Sequence, residues 1–201
     1  MADSSNRRDV ASSVAEPERA SDAVIAQCRT MIEGGAKARV RALILPWLRR
    51  RWRLAELGEG FHWPRGFRMR IGAGSRIGRF AYLGAGFEAE GPVVVGDLCM
   101  IAAGMKIIGA DHRYDVIGTP TRLAFPDAAR PVTTFGMDVW TGLRVTVMEG
   151  VTVGRGAVIG SGAIVTRDVP PYAVMAGIPA RFVRWRFDES RIGDHEARVK
   201  G

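Results

Sequence analysis

From Ile71 onward an aliphatic residue returns every six positions, at Ile71, Ile77, Leu83, Ala89, Val95, Ile101 and Ile107. Glycine follows directly at Gly72, Gly78, Gly84 and Gly96. Four residues after each aliphatic stand Ser75, Ala81, Phe87, Val93, Cys99 and Met105. A second block runs through Phe135, Thr141, Val147, Val153, Ile159 and Val165, with Val139, Val145, Val151, Ala157, Ala163 and Val169 four places on. A period of six suits neither a helix at ~3.6 nor an alternating strand at ~2. It suits short strands joined by tight corners, with one inward residue per strand and glycine letting the chain turn. Three such strands close a triangle of about eighteen residues, and successive coils stack at the ~4.8 Å strand spacing. Ile107 and Phe135 are 28 residues apart, which is not a multiple of six. A loop must therefore leave the repeat between the two blocks.

Over residues 65–187 the chain resembles the left-handed parallel β-helix of hexapeptide repeats, an all-β fold. Its hand is an exception to the right-handed crossover rule. The expected organisation is a disordered tail over 1–20 and a helical, basic appendage over 21–64. The coil follows over 65–187 with its loop at 112–134, and then a C-terminal tail over 188–201. Ser21 is placed to cap a short helix whose apolar face is Val24, Ile25, Cys28, Met31 and Ile32. That helix is expected to cover the open first coil, since the ends of a solenoid need capping. Polar residues 188–200 read as a short terminal helix around a break at Gly193.

Composition narrows the classes. Glycine makes up 25 of 201 residues, about 12% against a typical ~7%, which disfavours a helical bundle. The two cysteines, Cys28 and Cys99, exclude a disulfide framework or a zinc ribbon and fit a reducing, cytoplasmic compartment. Cys99 falls on a repeat position and reads as core. The apolar run over residues 42–48 is far short of a membrane span. No signal peptide is legible at the N-terminus.

The net charge of +8 is local. Residues 36–53 carry Lys37, Arg39, Arg41, Arg49, Arg50, Arg51 and Arg53 and no acid, so this segment alone contributes +7. Neither an aromatic single-strand platform nor a recognition helix accompanies it, so nucleic acid is not the expected partner. Val40, Leu43, Ile44, Trp47 and Leu48 recur at helical spacing. That fits peripheral contact with an anionic membrane face. Pro46 argues against one uninterrupted helix there.

The chain has three histidines: His62 before the repeat, His195 in the charged tail, and His112 where the first register ends. A loop on a rigid solenoid is where function concentrates. The segment ADHRYD, followed by FGMDVWTGLRVTVMEGVTVGRGAVIGSGAIVTRDVPPYAVMAGIPARFVRWRF, resembles the hexapeptide acyltransferases that use acetyl-CoA. The nearest are the xenobiotic, maltose-type and polysaccharide O-acetyltransferases. The pattern matches at His112, at Asp138-Val139-Trp140, over residues 165–170, and at Ala176-Gly177 with Pro179-Ala180.

The resemblance implies a homotrimer that moves acetyl from acetyl-CoA to a hydroxyl of a carbohydrate, with no metal. The acceptor would be a surface polysaccharide, lipopolysaccharide or glycolipid. Imidazole titrates near pH ~6.5, so neutral His112 can take the hydroxyl proton as it attacks the thioester and return it to the thiolate. Asp111 or Asp115 would hold its tautomer. By position, Trp140, Gly142, Leu143, Ser161 and Ala163 would line a pantetheine slot between subunits. Thr166, Arg167, Arg181 and Arg184 would meet the adenosine-phosphate end. Tyr82, Arg113, Tyr114 and Arg122 are candidates for the acceptor. N-acetylation of an amino sugar, acetylation of a xenobiotic or antibiotic, and a non-catalytic β-helix scaffold are the competing readings. A three-histidine zinc site is disfavoured, because His62 and His195 lie outside the regular repeats.

Overall fold

The computed structural model describes residues 14–33, 35–64, 68–109, 112–126 and 128–200. Two helices come first, α1 (Asp22–Met31) and α2 (Ala36–Arg51). Ahead of the loop the strands are β1 (Glu56–Leu57), β2 (Arg76–Ile77), β3 (Tyr82–Leu83), β4 (Glu88–Ala89), β5 (Val93–Val95), β6 (Met100–Ile101) and β7 (Lys106–Ile108). After it come β8 (Thr133–Phe135), β9 (Trp140–Thr141), β10 (Thr146–Met148), β11 (Thr152–Val153), β12 (Val158–Ile159) and β13 (Ile164–Val165). The hairpin β14 (Ala173–Ala176) and β15 (Arg181–Trp185) and the helix α3 (Glu189–Lys200) complete the chain.

Successive strands visit three sheets in rotation. The first sheet is β1-β2-β5-β8-β11, the second β3-β6-β9-β12-β14-β15, and the third β4-β7-β10-β13. Every pairing is parallel except β14 with β15. Arg76 pairs with Val94, Tyr82 with Met100 and Glu88 with Lys106, each 18 residues on. The chain is thus a three-sided parallel coil. Across the loop the partners are 40 apart, as in Lys106 with Thr146, so 22 residues are inserted into one coil.

The hexad residues fill the interior. All thirteen from Ile71 to Val165 are buried, and so are the residues four places on, from Ser75 to Val169. Cys99 is among them, and burial pushes its thiol pKa up. The glycines after the hexad positions have a different reason from the one expected. A Cβ on Gly84 would lie 2.4 Å from the backbone N of Ala103, and one on Gly96 2.5 Å from that of Met137. They let one coil stack on the next; the turning is done elsewhere. Phe80, Leu98 and Asp138 take left-handed φ values of 53°, 64° and 56° at successive corners between the first and second sheets.

Four details depart from the sequence reading. The coil begins ahead of residue 65: β1 pairs with β2, and Phe61 is fully buried. Glu56 and Arg76 are 20 apart instead of 18, which takes this coil out of phase with the hexads. Residues 14–20 are held on the coil; Glu18 accepts from the Met137 N–H at 3.0 Å and pairs with Arg155 at 3.0 Å. The rest of the tail expected to be disordered over 1–20, residues 1–13, lies outside the described residues. Pro46 sits within one continuous α2. It and Ala42, whose carbonyl loses a partner, are both exposed, so water can satisfy that group. Finally, α3 runs unbroken through Gly193.

The cover of the first coil also differs from the expectation. Ser21 caps α1, accepting from the Val24 N–H at 3.5 Å. Yet α1 lies on the flank, its Ile25 buried with Ala20, Phe80 and Met137. It is α2 that covers the first coil: Leu45, and Trp52 just past the helix end, pack on the core cluster that holds Leu54 and Phe61. The α3 helix joins α1's flank, with Ser21 N–H donating to Val199 O at 2.8 Å. No helix among the described residues is long and apolar enough to cross a membrane.

Candidate active site

The two chain ends thus cover the corner between the first and second sheets. The candidate site residues lie on the other two corners and on the outer face of the second sheet.

The loop over residues 109–132 springs from the corner between the third and first sheets, between β7 and β8. Its neck is closed by Arg130, which donates to Gly109 O at 2.7 Å, to Glu149 at 2.8 Å and to Glu90 at 2.8 Å. The Glu149 side chain is 1% exposed and also accepts from the Gly91 N–H at 3.1 Å. Farther out, Arg113 N–H donates to Ala124 O at 2.8 Å, and a 3-10 turn spans Thr121–Leu123. His112 is half-buried with its Nδ1 enclosed, and its ring lies 5.0 Å from that of Phe125. Asp115 is exposed and faces Arg113 Nε at 3.3 Å. Asp111, the other candidate to orient the imidazole, lies outside the described residues. Tyr114 and Arg122 are exposed on the loop, as are Ile117, Leu123 and Phe125. Thr166 and Arg167 are exposed at this same corner after β13, where Asp168 accepts from the Thr152 N–H at 2.7 Å.

Gly142, Leu143 and Ser161 stand on the next corner, between the second and third sheets. Ser161 Oγ accepts from the Leu143 N–H at 3.1 Å, and a Cβ on Gly142 would fall 2.4 Å from that oxygen. Leu143 is exposed. Ala163 requires a correction: its methyl group is fully buried in the core, and its N–H and carbonyl serve Gly160 O and Thr146 N. It offers a slot no free group.

Trp140 projects from the outer face of the second sheet, half exposed, in one column with Tyr82, Met100, Val158 and Val174. A groove of roughly 460 Å³ brings Trp140 together with Met100, Val174 and Arg184. Arg181 is also exposed on β15, opposite Ala176. The structure therefore joins Trp140 to Arg184 and His112 to the corner of Arg167, but it separates these two groups by the width of the third sheet. Arg130, Glu149 and Phe125 were missed in the sequence. An acid interrupting the apolar pattern at Met148-Glu149-Gly150 was the one signal for Glu149. His195, by contrast, is engaged away from the loop, its Nε2 3.2 Å from Asp138 Oδ2.

No family profile matches the chain. Nodulation protein L of Rhizobium meliloti (strain 1021) is 42% identical over 136 residues, covering 64% of this chain and 69% of that protein. Chloramphenicol acetyltransferase of Agrobacterium fabrum is 40% identical over 119 residues, covering 52% of this chain and 57% of the relative. A hexapeptide-repeat acetyltransferase of Vibrio cholerae, solved with acetyl-CoA, is 26% identical over 78% of this chain and 81% of its own, with a TM-score of 0.48. The chain spans a little over half the length of the chloramphenicol acetyltransferases it matches. With its three-sided coil, hexad core and loop histidine, the chain belongs to the hexapeptide-repeat acyltransferase family.

Proposed function

We propose that this chain is an acetyl-CoA-dependent O-acetyltransferase with His112 as general base. The observation that supports this most is the placing of His112 on a loop pinned at its neck, half-buried against Phe125. The neutral imidazole takes the acceptor's hydroxyl proton as the oxygen attacks the thioester carbon. The same proton then passes to the departing thiolate, so no acyl-enzyme is required. Asp111 or Asp115 holds the ring in the productive tautomer.

The coenzyme's pantetheine runs beside Trp140, Gly142, Leu143 and Ser161, and its phosphates meet Thr166, Arg167, Arg181 and Arg184. One chain sets His112, with Thr166 and Arg167, on a different corner from Gly142, Leu143 and Ser161, and away from Trp140. We therefore read the working unit as a homotrimer of left-handed coils, in which one subunit's loop faces its neighbour's slot. The exposed Tyr114, Ile117, Leu123 and Phe125 are then covered by the neighbour. The division into an N-terminal appendage, a coil and a C-terminal tail belongs to the same reading.

The acceptor we favour is a carbohydrate hydroxyl in polysaccharide or glycolipid assembly, with Tyr82, Arg113, Tyr114 and Arg122 shaping its pocket. The enzyme would work in the cytoplasm, at the inner face of a membrane. A hydroxyl on an apolar antibiotic is the second reading, favoured by the apolar side chains on the loop and by the chloramphenicol acetyltransferase relatives.

The test is thiol release from acetyl-CoA with a panel of sugars, amino sugars, nucleotide-sugars and antibiotics, run on the wild type and His112→Ala. Turnover with one acceptor, lowered ~10²–10⁴-fold in the variant, is the expected result. Turnover that His112→Ala leaves intact overturns the general base. Absence of both turnover and CoA binding overturns the whole reading in favour of a scaffold.

A further inference from the structure

The basic helix is not absorbed by acetyl transfer. Its apolar residues fall on two opposite faces. Leu45 and Leu48 turn inward, and Leu48 is buried. On the other side Leu43 is 81% exposed, Trp47 62% and Val40 46%. At about 100° per residue these three lie within roughly 60° of one another. Arg39 and Arg50 flank that strip on one edge and Arg51 on the other. Among the described residues, none of Arg39, Arg50, Arg51 and Arg53 has a carboxylate partner. Arg41, in contrast, turns back to Glu33.

Beside the strip, between α2 and the first coil, runs a groove of roughly 830 Å³. Its apolar lining is Leu45, Pro46, Leu54 and Leu57, and its cations are Arg49, Arg50 and Arg53. The acid at its edge, Glu59, is held by Arg29 at 3.0 Å. The groove therefore keeps a surplus of positive charge.

We infer that the outer face of α2 docks on a bilayer containing anionic phospholipid, with the arginine-lined groove taking a lipid headgroup phosphate. Charge complementarity selects this occupant. A nucleic acid would neutralise the arginines but leave Leu43 and Trp47 in water. An apolar protein groove would cover Leu43 and Trp47 but bury the arginines without counter-charge. A phospholipid surface satisfies both, because the apolar strip enters the acyl boundary while the guanidiniums stay at phosphate level. Docking through α2, at the first-coil end of the stack, leaves the loop of His112 free at the side. The inference stands apart from acetyl transfer, since α2 holds none of the residues assigned to it.

The experiment is sedimentation of the full chain with phosphatidylcholine vesicles, with and without phosphatidylglycerol, at low and high salt. The wild type should pellet with the anionic vesicles at low salt, stay in solution with the neutral ones, and be released by high salt. Arg50→Gln and Arg51→Gln should each weaken the partition about fivefold. Leu43→Glu with Trp47→Glu should abolish it while leaving the circular dichroism unchanged, since both side chains are exposed. A wild type that ignores anionic vesicles overturns the inference. So does a Leu43→Glu, Trp47→Glu variant that still pellets. Duplex DNA bound more tightly than the vesicles, and equally by that variant, would assign the arginines to nucleic acid instead.

Discussion

The Arg130 guanidinium and the Glu149 carboxylate form an ion pair at 2.8 Å across the neck of the inserted loop, with the Glu149 side chain 1% exposed. Glu149 belongs to the coil after the loop, and Glu90, which Arg130 also holds, to the coil before it. One side chain thus ties both coils to Gly109, where the loop departs. Among the described residues, removing Arg130 leaves the buried Glu149 carboxylate with only the Gly91 N–H as partner. Breaking a buried pair in this way costs about 3–5 kcal/mol. Arg130 is partly exposed, so Arg130→Ala is expected at the lower end of that range by urea denaturation. Hydrogen exchange should quicken over residues 109–132 ahead of the coil strands. Arg130→Met combined with Glu149→Gln should recover part of the loss, which a double-mutant cycle measures.

The glycines differ sharply in what they tolerate. In Gly96→Ala the new methyl falls 2.5 Å from the Met137 backbone N, where the coils are joined by Gly96 N–H to Phe135 O at 2.8 Å. The coils must separate, and the variant is expected to lose about 1–3 kcal/mol. Gly193→Ala meets nothing within 4 Å on an exposed stretch of α3. It should gain about 0.8–1.0 kcal/mol from helix propensity. Thermal unfolding of the two variants beside the wild type checks the opposite signs.

The N-terminal strap is held by Glu18 and by one fully buried carboxylate, Asp97. Asp97 is fully buried and accepts from Arg79 Nε at 2.8 Å, from the Arg79 N–H at 2.7 Å and from the Ala20 N–H at 3.1 Å. Asp97→Asn keeps the shape but sets an amide NH₂ against donors and removes the counter-charge of Arg79. The expected outcome is release of residues 14–31, read as early proteolytic cleavage there while the coil stays resistant. Cleavage no faster than in the wild type would show that Ile25 packing and the Glu18 contacts hold the strap without Asp97.

The coil was legible because each hexad residue does one simple thing: Ile77, Leu83 and Ile101 point inward, and an apolar period survives translation into space. The loop was legible as the 28-residue break between Ile107 and Phe135. What escaped were features with no period. The first coil hides because two extra residues between Glu56 and Arg76 shift it out of phase. The strap hides because Glu18 and Asp97 grip backbone N–H groups, which any sequence offers. His112 stands out in sequence by its place at the break in the repeat, but Arg130 and Glu149 do not, since they are distant in sequence and meet only when coils stack. Ala163 was misplaced because a match by position does not say which way a side chain points. The inner wall needed a methyl there.

The Tyr172–Glu196–Arg155 network at the corner between the first and second sheets gives a pH response whose sign can be worked out. Tyr172 is buried and its hydroxyl donates to Glu196 at 3.1 Å. Burial first, then that hydrogen bond, pushes its pKa up from 10.0 to about 12. The folded state therefore keeps a proton that the unfolded chain has already lost. This stability is fully present below pH ~10 and is lost as pH rises through about 12. Tyr172→Phe should flatten that alkaline fall, which is of order 2 kcal/mol. Glu196 runs the other way. Burial works against its charge, but the hydrogen bonds from Arg155 and Tyr172 prevail and hold it below the ordinary carboxylate value. Its contribution is present above pH ~4.3 and fades as pH falls through the lowered folded value. Urea midpoints for the wild type, Tyr172→Phe and Glu196→Gln across pH separate the two limbs. If Tyr172→Phe altered only the acid limb, the phenol would not be the alkaline group, and its bond to Glu196 would act through the carboxylate alone.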